Sequence, residues 1–291
     1  MRNERLEMQL DNPLVVGFDG SGRARNAVVW AAREAARRGL PLRLVHATPY
    51  PAAGPPAEVG GPEEPDPVLD RGLRVARTYL PDDLVSGVCV PGHAAGVLAD
   101  QSLGATLVVV GQRSQDGPVS SAVGSTSLVL ADRAACPVVV ARGATDAQRA
   151  ALPVVVSACG GTTSRAVLDF AAHAARLRGV PLSIVSAWSL PPSREWSGAA
   201  GGFDSVAEWV RATATSAARA ARATEQDVHE SCPTLVTSTQ VERADPADAL
   251  VHSSRRAGLV VVGSARPTGL GRVGATVLGL AACPVAVVPE A

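Results

Sequence analysis

Short hydrophobic runs alternate along the chain with longer segments rich in alanine and arginine. The runs are dominated by valine, and the segments between them have the length of helices. This alternation is typical of successive βαβ units in a parallel sheet that is buried on both faces. It predicts an α/β fold with five strands in each half, which in the first half lie at 14–19, 42–47, 85–90, 106–110 and 137–141.

The second half of the sequence repeats the first. Three segments recur in order: 14–47 as 154–187, 105–111 as 257–263, and 134–142 as 281–289. A repeat of this length indicates that one structural unit occurs twice. We therefore predict two tandem domains, 1–145 and 146–291, joined by the linker 143–153.

Local signals mark the ends of the first helix and two loops. Ser21 is a favourable N-cap, and Gly39 permits the left-handed turn that ends a helix. Two segments rich in proline and glycine, 49–67 and 189–204, follow the second strand of each half. We expect surface loops there, acting either as lids or as spacers. Segment 49–67 is our candidate surface for a regulatory protein partner.

The amino-acid composition excludes several classes of function. The 27 basic and 27 acidic residues cancel, and only 3% of residues are aromatic, so we expect no nucleic-acid partner. All basic residues are arginines. A chain without lysine has no Walker-type phosphate loop, Schiff-base lysine or kinase lysine. No apolar stretch approaches the length of a membrane span, and we expect a cytoplasmic protein without membrane contact.

The five cysteines indicate neither a disulfide framework nor a zinc motif. Their number is odd and none forms a Cys-x-x-Cys pair. We expect buried, reduced thiols at Cys89, Cys136, Cys159, Cys232 and Cys283.

A candidate ligand site lies where the first and fourth strands end. If these strands are neighbours, the sequences FDGS and GQRS face each other across the crevice where strand order reverses. Asp19 then offers a carboxylate to ribose hydroxyls. The loop from Gly111 to Gly124 offers backbone N–H groups to phosphates, and the helix beginning at Gly124, Ser125 and Thr126 points its positive end at them.

Each of these features also has an ordinary explanation. Asp19 is a common turn former, and a glycine-rich loop before a helix is often a simple connection. Arg113 is either a phosphate contact or a solvated surface residue. For His46, at the end of the second strand, we favour a core or rim histidine over a catalytic one.

Together these residues resemble the universal stress protein family in its tandem form. The resemblance runs from Leu14 to Pro289 and rests on GFDGS, LVHA, LVVVG and ACPVVV in order. The family's nucleotide motif is Gly-x2-Gly-x9-Gly-Ser/Thr. The first half matches it with Gly111, Gly124 and Ser125, but has Ser114 at the second glycine. If that position is left-handed, serine costs about 1–2 kcal/mol.

The resemblance implies two Rossmann-like sheets of strand order 3-2-1-4-5, packed as an intramolecular pseudo-dimer through their last strands. It also implies ATP, alone or with Mg²⁺, in the first half, and it assigns no catalytic residue. The nucleotide-binding residues it implies are Gly17, Asp19, Ala47, Gly111, Arg113, Ser114, Gly117, Gly124, Ser125 and Thr126.

The second half departs from this motif. Cys159 stands at the place of Asp19, Arg272 at that of Ser125, and seven residues separate Gly263 from Gly271 where the first half has twelve. We predict that this half binds no ATP. Phosphate binding by Arg272 and redox chemistry at Cys159 are alternatives that we favour less than structural roles.

Three functions fit the sequence. The first is a regulatory protein of the stress response that binds one ATP per chain with little or no turnover. The second is a slow ATPase or other adenine-nucleotide hydrolase, for which the loop offers only Asp116, Arg113 and hydroxyls. The third is a structural assembly protein without nucleotide. The chain is expected to be a homodimer or a pseudo-dimeric monomer.

Overall fold

The computed structural model describes residues 12–48, 66–112, 125–143, 147–158, 163–189, 206–265 and 269–290. Ten strands in these ranges form one sheet. They are β1 Leu14–Gly17, β2 Leu42–Thr48, β3 Val85–Pro91, β4 Leu107–Gly111, β5 Val138–Ala141, β6 Val154–Ser157, β7 Leu182–Trp188, β8 Thr237–Arg243, β9 Leu259–Ala265 and β10 Val285–Glu290.

Helices cover both faces of this sheet. They are α1 Gly22–Arg38, α2 Pro67–Ala76, α3 Ala94–Gln101, α4 Ser125–Arg133, α5 Ala147–Ala150, α6 Arg165–Arg178, α7 Val206–Ser231, α8 Pro246–Ser253 and α9 Arg272–Leu280. Two buried clusters of valine, leucine and alanine side chains lie on the two faces of the sheet. This explains why the central strands read as continuous hydrophobic runs.

The strand order confirms the predicted topology. It is β3-β2-β1-β4-β5-β10-β9-β6-β7-β8, so each half has the order 3-2-1-4-5 and the two halves meet at their last strands. Strands β5 and β10 pair antiparallel, with Val139 opposite Ala286, and the other pairs are parallel. An apolar edge that would invite association is thereby covered within the chain.

The ends of α1 match the sequence prediction, whereas α6 begins later than its counterpart. Ser21 Oγ accepts a hydrogen bond from Ala24 N, and Gly39 adopts φ 66° at the end of the helix. In the second half a glycine replaces this serine, and the N-cap is Ser164, three residues further on. Helix α6 accordingly has 14 residues where α1 has 17.

Charged side chains join the halves where α1 meets α6. Glu34 is 1% exposed and accepts from Arg38 Nε at 2.9 Å and from Arg178 Nη2 at 2.7 Å. The guanidinium of Arg178 stacks over Trp30, and that of Arg38 stacks over Phe170. These stacked pairs occupy equivalent positions in the two repeats. Ala174 stands where the first half has Glu34, so the Glu34 carboxylate is the partner of both stacked arginines.

A second contact between the halves surrounds Arg142, which follows β5. Its guanidinium donates to the carbonyls of Leu278, Gly279 and Ala281 at the end of α9. Helix ends carry unpaired carbonyls and partial negative charge, so a buried arginine there stabilises α9 of the other half. Burial lowers the pKa of Arg142 to about 10, which still leaves it charged at neutral pH.

Some sequence predictions need correction or fall outside the described residues. Segment 49–67 was predicted as a loop, but Asp66 and Pro67 begin α2, because proline fits the first helical position, where its missing N–H is not needed. The rest of that segment, positions 190–204 of the second loop and the 145/146 domain boundary lie outside the described residues.

The cysteine prediction is confirmed at two positions and wrong at one. Cys136 and Cys283 are buried, whereas Cys89 is exposed; Cys232 is intermediate, and Cys159 lies outside the described residues. Cys89 is exposed because β3 is an edge strand. Among the helices that the structure describes, none has the length and apolar character needed to cross a membrane.

Candidate functional site

A cavity of about 220 Å³ lies at the carboxyl ends of β1 and β4. These strands are neighbours, with Leu14 opposite Leu107, as the crevice hypothesis required. Helix α1, which follows β1, packs in the buried cluster on one face of the sheet, and α4, which follows β4, packs in the cluster on the other. The two connections therefore diverge at this point and leave a crevice between them.

The lining of the cavity has an apolar and a polar part. Its apolar residues with side chains are Phe18, Ala24, Val45, Ala47, Ala94, Leu98 and Val110. Its polar side chains are those of Asp19, Ser21, Arg23, Gln112, Thr126 and Ser127. Small-molecule sites typically combine an apolar wall with a few polar groups that fix orientation.

The turn Asp19-Gly20-Ser21 carries the carboxylate of the site. Gly20 has φ 80°, a left-handed conformation that favours glycine. Asp19 Oδ1 accepts from Ser21 N at 3.0 Å, and Ser21 in turn caps α1. The carboxylate is exposed at the mouth of the cavity and is held in place by this turn.

Two glycines permit close packing around the cavity. A Cβ at Gly17 would lie 2.8 Å from Leu98 Cδ1, so glycine there lets α3 approach the end of β1. A Cβ at Gly111 would lie 2.7 Å from the carbonyl oxygen of Arg23 and 3.0 Å from Ala24 N. Gly111 therefore lets the first turn of α1 contact the end of β4, in addition to lining the cavity.

Helix α4 points its N-terminus at the cavity. Thr126 and Ser127, in its first turn, belong to the lining, and Ser127 is buried. The first N–H groups of a helix lack partners within the helix and carry partial positive charge. This end of the cavity is accordingly suited to an anion, as the acidic end at Asp19 is suited to hydroxyl donors.

Comparisons with known proteins agree with this architecture. The family model described as "Universal stress protein family" matches residues 12–142 and again 153–289. Universal stress protein Rv2623 of Mycobacterium tuberculosis is 33% identical over 294 residues, covering 95% of this chain and 96% of the relative.

The chain belongs to the universal stress protein family.

One further relative and one solved structure match almost the whole chain. A universal stress protein of Mycolicibacterium smegmatis is 30% identical over 303 residues and covers 94% of this chain, with 96% of the relative covered. The crystal structure of PA1789 from Pseudomonas aeruginosa PAO1, described as functionally unknown, superposes with a TM-score of 0.62 at 16% identity, over 98% of this chain and 94% of that one. The structural match shows the fold alone.

In this universal stress protein, half of the predicted site residues come together in the cavity. Its lining includes Gly17, Asp19, Ala47, Gly111 and Thr126. Ser125 begins α4, but its side chain is outside the described part of the structure. The predictions for Arg113, Ser114, Gly117 and Gly124 also lie outside the described residues.

Several lining residues were missed by sequence reasoning. Gln112 lies within the sequence GQRS and Arg23 lies two residues after FDGS, so their proximity to the site could have been inferred from the chain. Leu98 and Ala94 come from α3, which carries no motif, and only the packing of α3 against the sheet brings them in. His46 is not part of the lining, because it points to the opposite side of β2 from Val45 and Ala47.

The equivalent crevice of the second half is differently filled. A Cβ at Gly263 would lie 2.7 Å from Glu290 Cδ, so a carboxyl group packs against Gly263, whereas the first turn of α1 packs against Gly111 in the first half. The hydroxyls of Thr126 and Ser127 are replaced by Val273 and Gly274. The first turn of α9 therefore offers no side-chain hydroxyl at these two positions.

Arg272 begins α9 immediately after its N-cap Gly271, as the alignment predicted, but it has an ionic partner. Its Nη2 donates to Asp245 Oδ2 at 2.9 Å, and this hydrogen bond lowers the pKa of Asp245. Thr163 Oγ1 donates to the carbonyl of Ser157 at the end of β6. Both side chains are therefore hydrogen-bonded within this half.

Proposed function

We propose that the chain binds one ATP in the N-terminal cavity and acts as a regulatory protein of the stress response. The observation that carries this proposal is the combination of groups that line one crevice. They are an apolar wall, a carboxylate on a fixed turn and a helix N-terminus. These groups suit a base, a ribose and phosphates, respectively.

We assign each part of the site a role in binding. Val45, Leu98 and Val110 would contact the adenine, and the Asp19 carboxylate would accept hydrogen bonds from the ribose hydroxyls. The first turn of α4 and Arg23 would face the phosphates. Bound Mg²⁺ would neutralise part of the phosphate charge, and oxygen ligands, including those of the phosphates themselves, suit this ion.

We also propose that turnover is slow or absent. Phosphoryl transfer needs a positioned base or water-orienting group beside the phosphates. Among the described residues that line the cavity, Asp19 is the one carboxylate, and it is engaged with the turn at Ser21. Ligand occupancy, rather than hydrolysis, would then be the signal.

The proposal is tested by nucleotide content and stoichiometry. Any small molecule released on denaturing the purified chain is identified by mass spectrometry, and the nucleotide-stripped chain is titrated with Mg-ATP by calorimetry. We expect an adenine nucleotide and one site per chain. Two equivalent sites would contradict the proposal that only the N-terminal half binds ATP. A purified chain that contains no nucleotide and binds no Mg-ATP would favour the structural assembly protein instead.

A further inference from the structure

Three potential metal ligands of different chemistry meet on the side of β2 away from the nucleotide cavity. His46 on β2 and Cys89 on β3 are partners in the parallel register, and Asp66 is the N-cap of α2 above them. His46 Nδ1 lies 3.0 Å from Asp66 Oδ2, and the thiol of Cys89 hydrogen-bonds to the same carboxylate. One ligand atom from each side chain lies within 4.8 Å of the other two.

The carboxylate is held in place before any ion arrives. Asp66 Oδ1 accepts from Val68 N at 2.7 Å and from Leu69 N at 2.8 Å, which leaves Oδ2 directed at His46. A carboxylate oxygen on a side chain fixed by other hydrogen bonds is suited to metal binding.

We propose that His46, Asp66 and Cys89 bind one Zn²⁺-class ion. Imidazole nitrogen, thiolate sulfur and carboxylate oxygen are the three donor types that zinc uses, at roughly 2.0–2.3 Å from the ion. Tetrahedral coordination at these lengths places donor atoms roughly 3.5 Å apart, which small side-chain rotations within the present cluster achieve. Three protein ligands leave a fourth position for water or another ligand.

The surroundings of the cluster suit this role. The His46 and Asp66 side chains are 16% and 23% exposed, so an ion can enter from solvent while the ligands remain partly shielded. The sequence contains no Cys-x-x-Cys or paired-histidine motif here, because the ligands come from β2, β3 and the start of α2. Only the fold brings them together.

The second repeat supplies an internal comparison. In β7 and β8 the matching register pair is Ser186 and Val241, neither of which is a zinc ligand of this kind. Ser186 Oγ instead donates to the carbonyl of Ala217 in α7. The proposed stoichiometry is therefore one ion per chain, in the first half.

The test is titration of the reduced, metal-stripped full chain with Co²⁺, followed by displacement with Zn²⁺. We expect one equivalent of Co²⁺ to produce a thiolate-to-cobalt charge-transfer band and the visible bands of tetrahedral cobalt, both removed by Zn²⁺. Cys89→Ser should abolish the charge-transfer band, and His46→Ala should weaken Zn²⁺ binding about tenfold or more. Asp66→Asn should also weaken binding while keeping an oxygen acceptor for the α2 cap.

The control is Cys232→Ser, which removes another incompletely buried thiol and should leave the cobalt spectrum unchanged. Circular dichroism verifies that each variant is folded. A second readout is alkylation of Cys89, which Zn²⁺ should slow in the wild-type chain and EDTA should restore. The proposal is overturned if stoichiometric Co²⁺ gives no thiolate band, or if the spectra of Cys89→Ser and Cys232→Ser are the same.

Discussion

The Asp19 carboxylate is the residue on which the proposed nucleotide site most depends. Replacing it with alanine removes a charged acceptor for the ribose hydroxyls, and hydrogen bonds to charged groups contribute about 1.5–3 kcal/mol. We expect Asp19→Ala to weaken Mg-ATP binding by about thirtyfold, equivalent to about 2 kcal/mol. Isothermal titration calorimetry on the nucleotide-stripped chain measures this change.

Two further variants separate binding from local folding. Asp19→Asn keeps an oxygen that can accept from Ser21 N, so it should preserve the turn and lose less affinity than alanine. Asp82→Ala removes an exposed carboxylate just before β3, at the end of the sheet away from the cavity, and should leave binding unchanged. Equal affinities of the wild type and Asp19→Ala for Mg-ATP would show that Asp19 does not contribute to binding.

A second prediction concerns the reactivity of the cysteine thiols and requires no ligand. Burial raises the pKa of Cys136 and of Cys283 to about 12. Because the thiolate is the reactive form, both should resist iodoacetamide in the native chain at pH 8, whereas the exposed Cys89 should react. Peptide mapping by mass spectrometry distinguishes the sites, and full labelling in urea is the control. Native labelling of Cys136 or Cys283 would contradict the buried assignment.

Sequence motifs identified the site residues that belong to the motifs or lie next to them in the chain. They did not identify site residues on elements that carry no motif. Gly17, Asp19 and Gly111 stand at strand ends, where the topology fixes their neighbours. Leu98 reaches the cavity only because α3 packs on β1, and no local pattern encodes that contact. The sequence also could not show that Gly111 lets α1 pack closely against β4, because this contact joins backbone atoms of segments that are distant in the chain.

The pairing of α1 with α6 depends on a buried charge network. Removing Glu34 would leave Arg178, 4% exposed, without its carboxylate, and breaking a buried pair typically costs about 3–5 kcal/mol. We expect Glu34→Ala to lower the free energy of unfolding by that amount in urea titrations followed by circular dichroism. Asp169→Ala is the control, because it removes an exposed pair with Arg165 and should cost less than about 1 kcal/mol. A similar loss in both variants would refute this role.

The same network has a predictable dependence on pH. Burial alone would raise the pKa of the Glu34 carboxyl, but the charges of Arg178 and Arg38 outweigh it and hold the pKa below 4.5. A folded-state pKa below the unfolded one gives stability that is present above about pH 4.5 and is lost as pH falls through the folded value. The difference in unfolding free energy between wild type and Glu34→Gln should therefore shrink below about pH 4.5. A constant difference down to pH 3 would contradict the assigned charge state.

Strands and helix ends were predictable from the sequence where a single local pattern marked them. Valine runs located all five strands of the first half to within a few residues, and Ser21 and Gly39 marked the ends of α1. The start of α2 was missed because Asp66 and Pro67 follow a stretch rich in proline, and the N-cap was hidden by its neighbours. The network of Glu34 escaped prediction because Arg178 lies on α6, 144 residues further along the chain.

The continuous ten-stranded sheet makes the two repeats one structural unit. The resemblance to the family implied that the halves pair through their last strands, and the antiparallel contact of β5 with β10 confirms this. Arg142 and the pair of Glu34 with Arg178 add two further links across the same boundary. Such coupling predicts that the halves unfold together, so that a ligand bound in one half stabilises both.

Hydrogen exchange with mass spectrometry tests this coupling. Under saturating ligand at about 100 times Kd, binding to the native state adds about 2.7 kcal/mol of stability, which slows exchange through global unfolding about 100-fold. Given the proposed site, Mg-ATP should slow exchange of the slowest amides in β9 and β10 as much as in β1 and β4. Asp19→Ala at the same ATP concentration should show only about fourfold slowing in both halves, because a thirtyfold weaker affinity leaves the ligand at about 3 times Kd. Slowing confined to the first half would mean that the repeats unfold independently, because the cavity and its direct contacts lie entirely in that half.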